Sequence, residues 1–270
     1  MKSTPAFVLF LFACALASSN AMDFAAHRGA NQLFPENSVE SARAAWAAKA
    51  RYVEGDFHLT NENKLVCMHG EKELAALTGS PKKVPDLTAA DLAALTLNAN
   101  DPSKKAPVRI PLLIDLLRTV PKSGIFVIEI KTYGEAFPSL VEAARTQAGL
   151  SKDQILLIAF NAESLADFAR QVPGYRALWL CKLKMKNGKV TPDLKTIIDT
   201  AKGLRAVGVD IGGTPYLTRD MVDAIHRENL LCWTWTTDED AEIARLKSIG
   251  VDVITTNRIH EVLPAPVPGK

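Results

Sequence analysis

The chain has 270 residues, 47% of them hydrophobic and 23% charged, with 32 Lys and Arg against 30 Asp and Glu. These values belong to a folded globular protein and exclude a disordered chain, a collagen-like fibre or a long coiled coil. A formal net charge of +2 supplies no global field for holding DNA or RNA, so no nucleic-acid partner is expected.

Residues 1–21 read as a secretory signal peptide. Lys2 gives a positive start, and residues 6–16 form an apolar stretch too short for a transmembrane helix. Ser19-Asn20-Ala21 then places small residues ahead of a cut before Met22. Ala15-Leu16-Ala17 is a second candidate site, but it leaves almost no polar segment before the cut. A secreted or periplasmic protein is expected, with no stable membrane insertion after cleavage. Three cysteines then remain, Cys67, Cys181 and Cys232, each in an apolar run with no CxxC or CxxH spacing. They are expected as buried free thiols.

No repeat or Gly/Ser linker divides residues 22–270. Short β-like runs fall at 23–27, 51–57, 125–131, 155–160, 177–181, 206–211, 230–236 and 251–255. Helical patterns follow most of them, at 38–50, 135–148, 162–171, 192–202, 218–228 and 238–249. Asn37 or Ser38 is expected to cap the first helix, Thr218 the helix over 218–228, and Thr237 or Asp238 the last. Eight strands alternating with helices predict an α/β protein whose parallel sheet closes into a (β/α)₈ TIM barrel. An open doubly wound sheet is the runner-up, weakened because no GxGxxG follows the first strand.

Residues 61–111 are too long for a simple βα loop. Residues 64–69 predict a short extra strand returning through the Asn61-Glu62-Asn63 turn. Residues 88–95 predict a short helix, with Thr88 as cap and Asp91 completing the capping box. The whole reads as a small insertion at the barrel mouth.

The site of a barrel lies at the C-terminal ends of its strands, so the polar residues that end strands carry the functional argument. A period of two puts Ala25 and His27 on one face of the first strand. It puts Glu54 and Asp56 on one face of the second, and Glu129 and Lys131 on one face of the third. Their outward neighbours Val53, Phe57, Phe126, Ile128 and Ile130 are apolar, as in strands covered by helices. Each group alone reads as an ordinary structural residue, but together they point into one barrel mouth. Three carboxylates buried together need a cation. Glu54, Asp56 and Glu129 therefore predict a site for one hard divalent metal, Mg²⁺ or Ca²⁺. Arg28 and Lys131 suit phosphate oxygens, and His27 and His69 suit acid–base work.

The ordered set His27-Arg28-Gly29, Pro35-Glu36-Asn37-Ser38, Glu54-Gly55-Asp56, residues 65–69, Ile110-Pro111-Leu112, Glu129-Ile130-Lys131, Trp235-Thr236 and residues 250–257 resembles the glycerophosphodiester phosphodiesterase family over about residues 23–263. The resemblance implies a TIM barrel that hydrolyses a small-molecule glycerophosphodiester to glycerol 3-phosphate and an alcohol. It implies His27 and His69 as the catalytic pair and Glu54, Asp56 and Glu129 as metal ligands. It also implies Arg28 and Lys131 as phosphate contacts, Trp235 as a pocket wall, and the turn at Pro35-Glu36-Asn37 as support beneath the site. The chain departs from the family at Gly70, where an Asp usually follows the second histidine. It departs again in residues 73–78 and at Thr256-Asn257-Arg258-Ile259, the counterpart of a Thr-Asp-x-Pro run. Two alternatives stand beside this reading. One is a related phospholipase D-like phosphodiesterase acting on lysophospholipid or sphingolipid, with Tyr133, Trp179 and Leu180 as candidate walls. The other is a non-catalytic phosphate-binding barrel.

Overall fold

Strands form where β-branched and apolar residues alternate with the few polar groups noted above. In the computed structural model, which describes residues 22–98 and 107–263, they are β1 (Asp23–Ala26), β2 (Tyr52–Leu59), β3 (Leu65–Cys67), β4 (Ile125–Thr132), β5 (Ile155–Ala159), β6 (Arg176–Lys182), β7 (Lys184–Lys186), β8 (Lys189–Thr191), β9 (Gly208–Gly212), β10 (Leu231–Thr234) and β11 (Val253–Thr256). The proposed signal segment, with Cys14, and the polar stretch 99–106 lie outside the described residues. Strand β1 pairs in parallel with β11 on one side and with β2 on the other. That pairing closes the order β1-β2-β4-β5-β6-β9-β10-β11 into an eight-stranded barrel and excludes the open sheet. Among the described residues no helix is long and apolar enough to cross a membrane.

The strand alternation sorts side chains as expected. Ala25, Tyr52, Ile125, Val127, Leu156, Ile158, Leu178, Leu180, Trp233 and Val253 fill the barrel interior, where the Tyr52 and Trp233 rings meet edge to face at 4.7 Å. Val53, Phe57, Phe126, Ile128 and Ile130 point outward and pack with Trp46, Leu116 and Phe137. Truncating a fully buried residue such as Leu178 to Ala should cost about 2–5 kcal/mol.

The insertion carries β3 back antiparallel to β2, with Phe57 opposite Cys67 and Leu59 opposite Leu65. It encloses its own small core of Val66, Met68, Leu74, Val84, Leu87, Leu97, Val108 and Ile110. Thr88 and Asp91 cap its helix Ala89–Ala94 reciprocally.

Of the two cap candidates for the helix Val39–Ala47, Ser38 is the cap. Two local outcomes differ from the sequence reading. The last long helix, Asp240–Ser248, is preceded by Glu239, because Asp238 is drawn away to bond Thr256 and Asn257. Finally, β7 and β8 form an unanticipated hairpin. Its two-residue turn, Asn187-Gly188, has positive φ at both positions, the geometry that matches strand twist and that Asn-Gly favours.

Candidate active site

The chain leaves β1 through a turn in which Arg28 and Gly29 both have positive φ, 56° and 79°. Only glycine fits at position 29: a Cβ there would lie 2.4 Å from Ser41 Oγ. The turn aims the Arg28 amide at Glu54 Oε2, to which it donates at 2.9 Å. Arg28 Nη1 donates to both Glu36 carboxylate oxygens, at 2.9 and 3.0 Å, and Nε lies 3.1 Å from Asp56 Oδ2. Asn37, held at φ 56°, donates to Asp56 Oδ2 at 2.8 Å and accepts from the Asp56 amide at 3.1 Å. The Pro35-Glu36-Asn37 turn is thus the support that fixes one arginine and one carboxylate.

Asp56 and Glu129 are register partners on β2 and β4, and Glu54 shares their face. One oxygen from each of Glu54, Asp56 and Glu129 lies within 4.8 Å of the others. Lys131 Nζ donates to Glu129 Oε1 at 2.9 Å and lies 3.4 Å from Asp56 Oδ1. Glu54 Oε1 and Asp56 Oδ1 are buried without a hydrogen-bond partner among the described residues. Burial, with the charges of Asp56 and Glu129, pushes the Glu54 carboxyl well above the usual carboxylate range. Burial and Asp56 push Glu129 up to about 7. For Asp56, burial is outweighed by Lys131 and Arg28, which hold it at about 2. Orphaned oxygens and strained ionisation in an all-oxygen cluster fit a hard divalent cation, whose opposed ligands stand about 4–5 Å apart.

The histidines stand at the rim of the same cavity, about 240 Å³ in volume. His27 Nδ1 is 2.7 Å from Asn257 Oδ1. Burial, reinforced by the Arg28 charge, pushes the His27 imidazole down to about 4 against the opposing pull of Asn257 and Asp56. His69 follows β3, with Nδ1 at 3.1 Å from Glu73 Oε1. Gly70 is extended, at φ 175°, a conformation open to any residue, so the backbone there does not bar the Asp usual in the family.

One half of the cavity, from β1, β2, β3 and β4, is titratable. The other half is mostly apolar, lined by Ile158, Phe160, Leu180, Trp233 and Trp235 around the single carboxyl of Asp210. Trp235 reaches its place because Gly212 has no side chain; a Cβ there would fall 2.6 Å from the indole. The ring meets Phe160 edge to face at 5.4 Å. Of the three candidate walls, Leu180 lines the cavity, whereas Trp179 alternates outward and Tyr133, just past the end of β4, packs outside the barrel against Phe137. Trp179 donates to the Phe160 carbonyl and Tyr133 to Asp167.

Asp210 escaped the sequence reading. It lies inside the barrel between outward Val209 and Ile211 and lines the cavity, and burial together with the Glu129 charge pushes its carboxyl well above the usual carboxylate range. A lone carboxyl between two apolar residues on a strand was the available signal. Glu73, Asp238 and Asn257 were also missed as partners of the histidines, since their roles depend on contacts distant in the fold or across a helix turn.

The profile of the Glycerophosphoryl diester phosphodiesterase family matches residues 27–261. A glycerophosphodiester phosphodiesterase of Bacillus subtilis is 29% identical over 247 residues, covering 86% of this chain and 82% of that protein. One from Bacillus altitudinis is 28% identical over 242 residues, covering 86% and 93%. Among solved structures, an Oleispira antarctica phosphodiesterase in complex with the product sn-glycerol-3-phosphate is similar with a TM-score of 0.76. Its identity is 17%, and the match covers 89% of this chain and 94% of that one.

Proposed function

The chain belongs to the glycerophosphoryl diester phosphodiesterase family and is a phosphoric diester hydrolase; from that premise we propose that it cleaves glycerophosphodiesters to glycerol 3-phosphate and an alcohol, by metal-dependent acid–base catalysis. The observation that carries this reading is the convergence of Glu54, Asp56 and Glu129 with His27 and His69 on one barrel mouth. A single Mg²⁺ or Ca²⁺ held by the three carboxylates would neutralise and polarise the phosphodiester. Arg28 and Lys131 face the phosphate oxygens from the same side, each pre-positioned by its carboxylate partners.

His27 is the general base. It is neutral at working pH, and the proton on Nδ1 leaves Nε2 as its basic nitrogen. The assignment follows from Asn257, whose amide nitrogen donates to Asp238 Oδ2 at 2.6 Å, so its oxygen faces His27 and can only accept. His69, oriented by Glu73, donates the proton to the leaving oxygen. Asp210, buried in the cavity lining, offers a hydrogen-bond partner to a substrate hydroxyl, and Trp235 with Phe160 walls the organic part.

Product analysis on glycerophosphocholine by phosphorus NMR tests the reaction. Glycerol 3-phosphate with free choline is expected, whereas choline phosphate would overturn it. The apolar half of the cavity supports a second substrate class, lysophospholipids or sphingolipid diesters. Release of choline from lysophosphatidylcholine, with glycerophosphocholine untouched, would assign the site to that class. Residues 1–21 support secretion or delivery to the periplasm, and protein recovered there should begin at Met22.

A further inference from the structure

Five large hydrophobic side chains are exposed among the described residues: Leu33, Phe34, Phe160, Met185 and Tyr216. Scattered singly over a surface such residues need no explanation, but these five share one end of the barrel. Leu33 and Phe34 lie in the turn after β1, Phe160 follows β5, Met185 is in β7 after β6, and Tyr216 follows β9. All are therefore on segments leaving the C-terminal ends of barrel strands, the end that holds the catalytic cavity. The strand order puts β1 diametrically across the barrel from β6. Leu33 and Phe34 form one lip, and Phe160, Met185 and Tyr216, from three adjacent strands, form the other.

The second lip is also basic. Lys182, Lys184, Lys186 and Lys189 fall on or beside the β7–β8 hairpin, and residues 181–192 contain no Asp or Glu. Lys184, Met185 and Lys186 are all exposed, as a two-stranded ribbon too short to bury a face of its own would leave them. The hairpin and Phe160 bound an open groove of about 530 Å³, and Phe160 also lines the catalytic cavity.

We propose that this end of the barrel docks on an anionic phospholipid surface. The five apolar side chains are set apart on two lips, so they do not make the contiguous desolvated centre that a protein partner requires. A bilayer accepts separated insertion points, and lysines beside them gain from anionic headgroups. Docking in this pose opens the catalytic cavity toward the lipid headgroups. The docking is independent of the reaction proposed above.

The test is sedimentation of the chain from Met22 onward, which contains the whole closed barrel, with vesicles of phosphatidylcholine alone or mixed with phosphatidylglycerol. Binding to the anionic vesicles is expected, weakening as salt screens the lysines. Lys184→Glu/Lys186→Glu should lower partitioning at least about tenfold, and Leu33→Ser/Phe34→Ser should lower it without moving the melting temperature. Equal binding to neutral and anionic vesicles, or unchanged binding by the charge-reversed variant, would overturn the proposal. So would a dimer in lipid-free solution that the same substitutions dissociate, with no vesicle binding, since that result assigns the face to a second copy of the chain.

Discussion

His27 Nδ1 and Asn257 Oδ1 meet at 2.7 Å across 230 positions of sequence, because β1 and β11 are the strands whose pairing closes the barrel. Asp238 holds the far side of the Asn257 amide and also accepts from the Asn257 backbone. Barrel closure and the tautomer of His27 are thus one structural event. Asn257→Leu should lower kcat roughly 10–100-fold, the scale of losing an orienting partner, with KM little changed. Asn257→Asp should instead move the acidic limb of the pH–rate profile upward, because a carboxylate beside His27 favours the imidazolium. A profile that stays in place in Asn257→Asp would show that Asn257 does not act through His27.

His27→Ala and His69→Ala should each lose at least roughly 10²-fold in kcat. Metal binding should be retained, since neither side chain belongs to the carboxylate cluster. Glu73→Gln should cost less and leave the fold intact. A Cβ at position 70 would sit 3.6 Å from Glu73 Oε2, so Gly70→Asp sets a second carboxylate against Glu73. Its effect should turn favourable only in the Glu73→Gln background. Steady-state kinetics on the four members of that cycle checks this, and full activity in His69→Ala would remove His69 from the mechanism.

The depressed His27 pKa sets a direction for acid stability. The fold favours the neutral imidazole, so its contribution is complete above the unfolded value of about 6.5 and is lost as pH falls toward the folded value of about 4. This amounts to roughly 2–3 kcal/mol between about pH 7 and pH 4. Urea unfolding of the native chain and of His27→Gln should show the smaller acid loss in the variant. Parallel losses would mean that His27 is not buried neutral.

The barrel was legible because both faces of its strands are marked. Val53, Phe57, Phe126 and Ile128 signal helices outside, and Glu54, Asp56 and Glu129 signal a site inside. The carboxylate cluster needed only the period of two and two neighbouring strands, β2 and β4. The partners of the histidines were not legible. Asn257 and Asp238 become relevant only once β11 returns beside β1, and Glu73 reaches His69 across one helix turn that an EKEL run does not advertise. The β7–β8 hairpin was announced by Asn187-Gly188, but its flanking lysines masked the alternation that marks a strand. Trp179 was misassigned because a strand pattern gives two faces without saying which is inward. Leu178 and Leu180 took the interior.

Cys67, Cys181 and Cys232 are buried and unpaired with one another. Cys181 and Cys232 lie on β6 and β10, which β9 separates. Burial pushes the Cys181 thiol up to about 12 and raises the other two well above the usual thiol range. All three should resist thiol reagents in the native chain and react after denaturation without reductant. A denatured chain from Met22 onward that yields one reactive thiol would reveal a disulfide and contradict the arrangement.

Phosphodiester cleavage should depend on a cation held by Glu54, Asp56 and Glu129. The most direct measurement of this dependence is glycerol 3-phosphate release from glycerophosphocholine before chelation, after chelation, and after Mg²⁺ or Ca²⁺ is restored, with metal content determined at each stage. Activity should vanish on chelation and return with the cation. Glu54→Gln, Asp56→Asn and Glu129→Gln should each require more cation for half-maximal activity. Undiminished glycerol 3-phosphate release from protein shown to be metal-free would mean that the three carboxylates hold no cation the reaction needs.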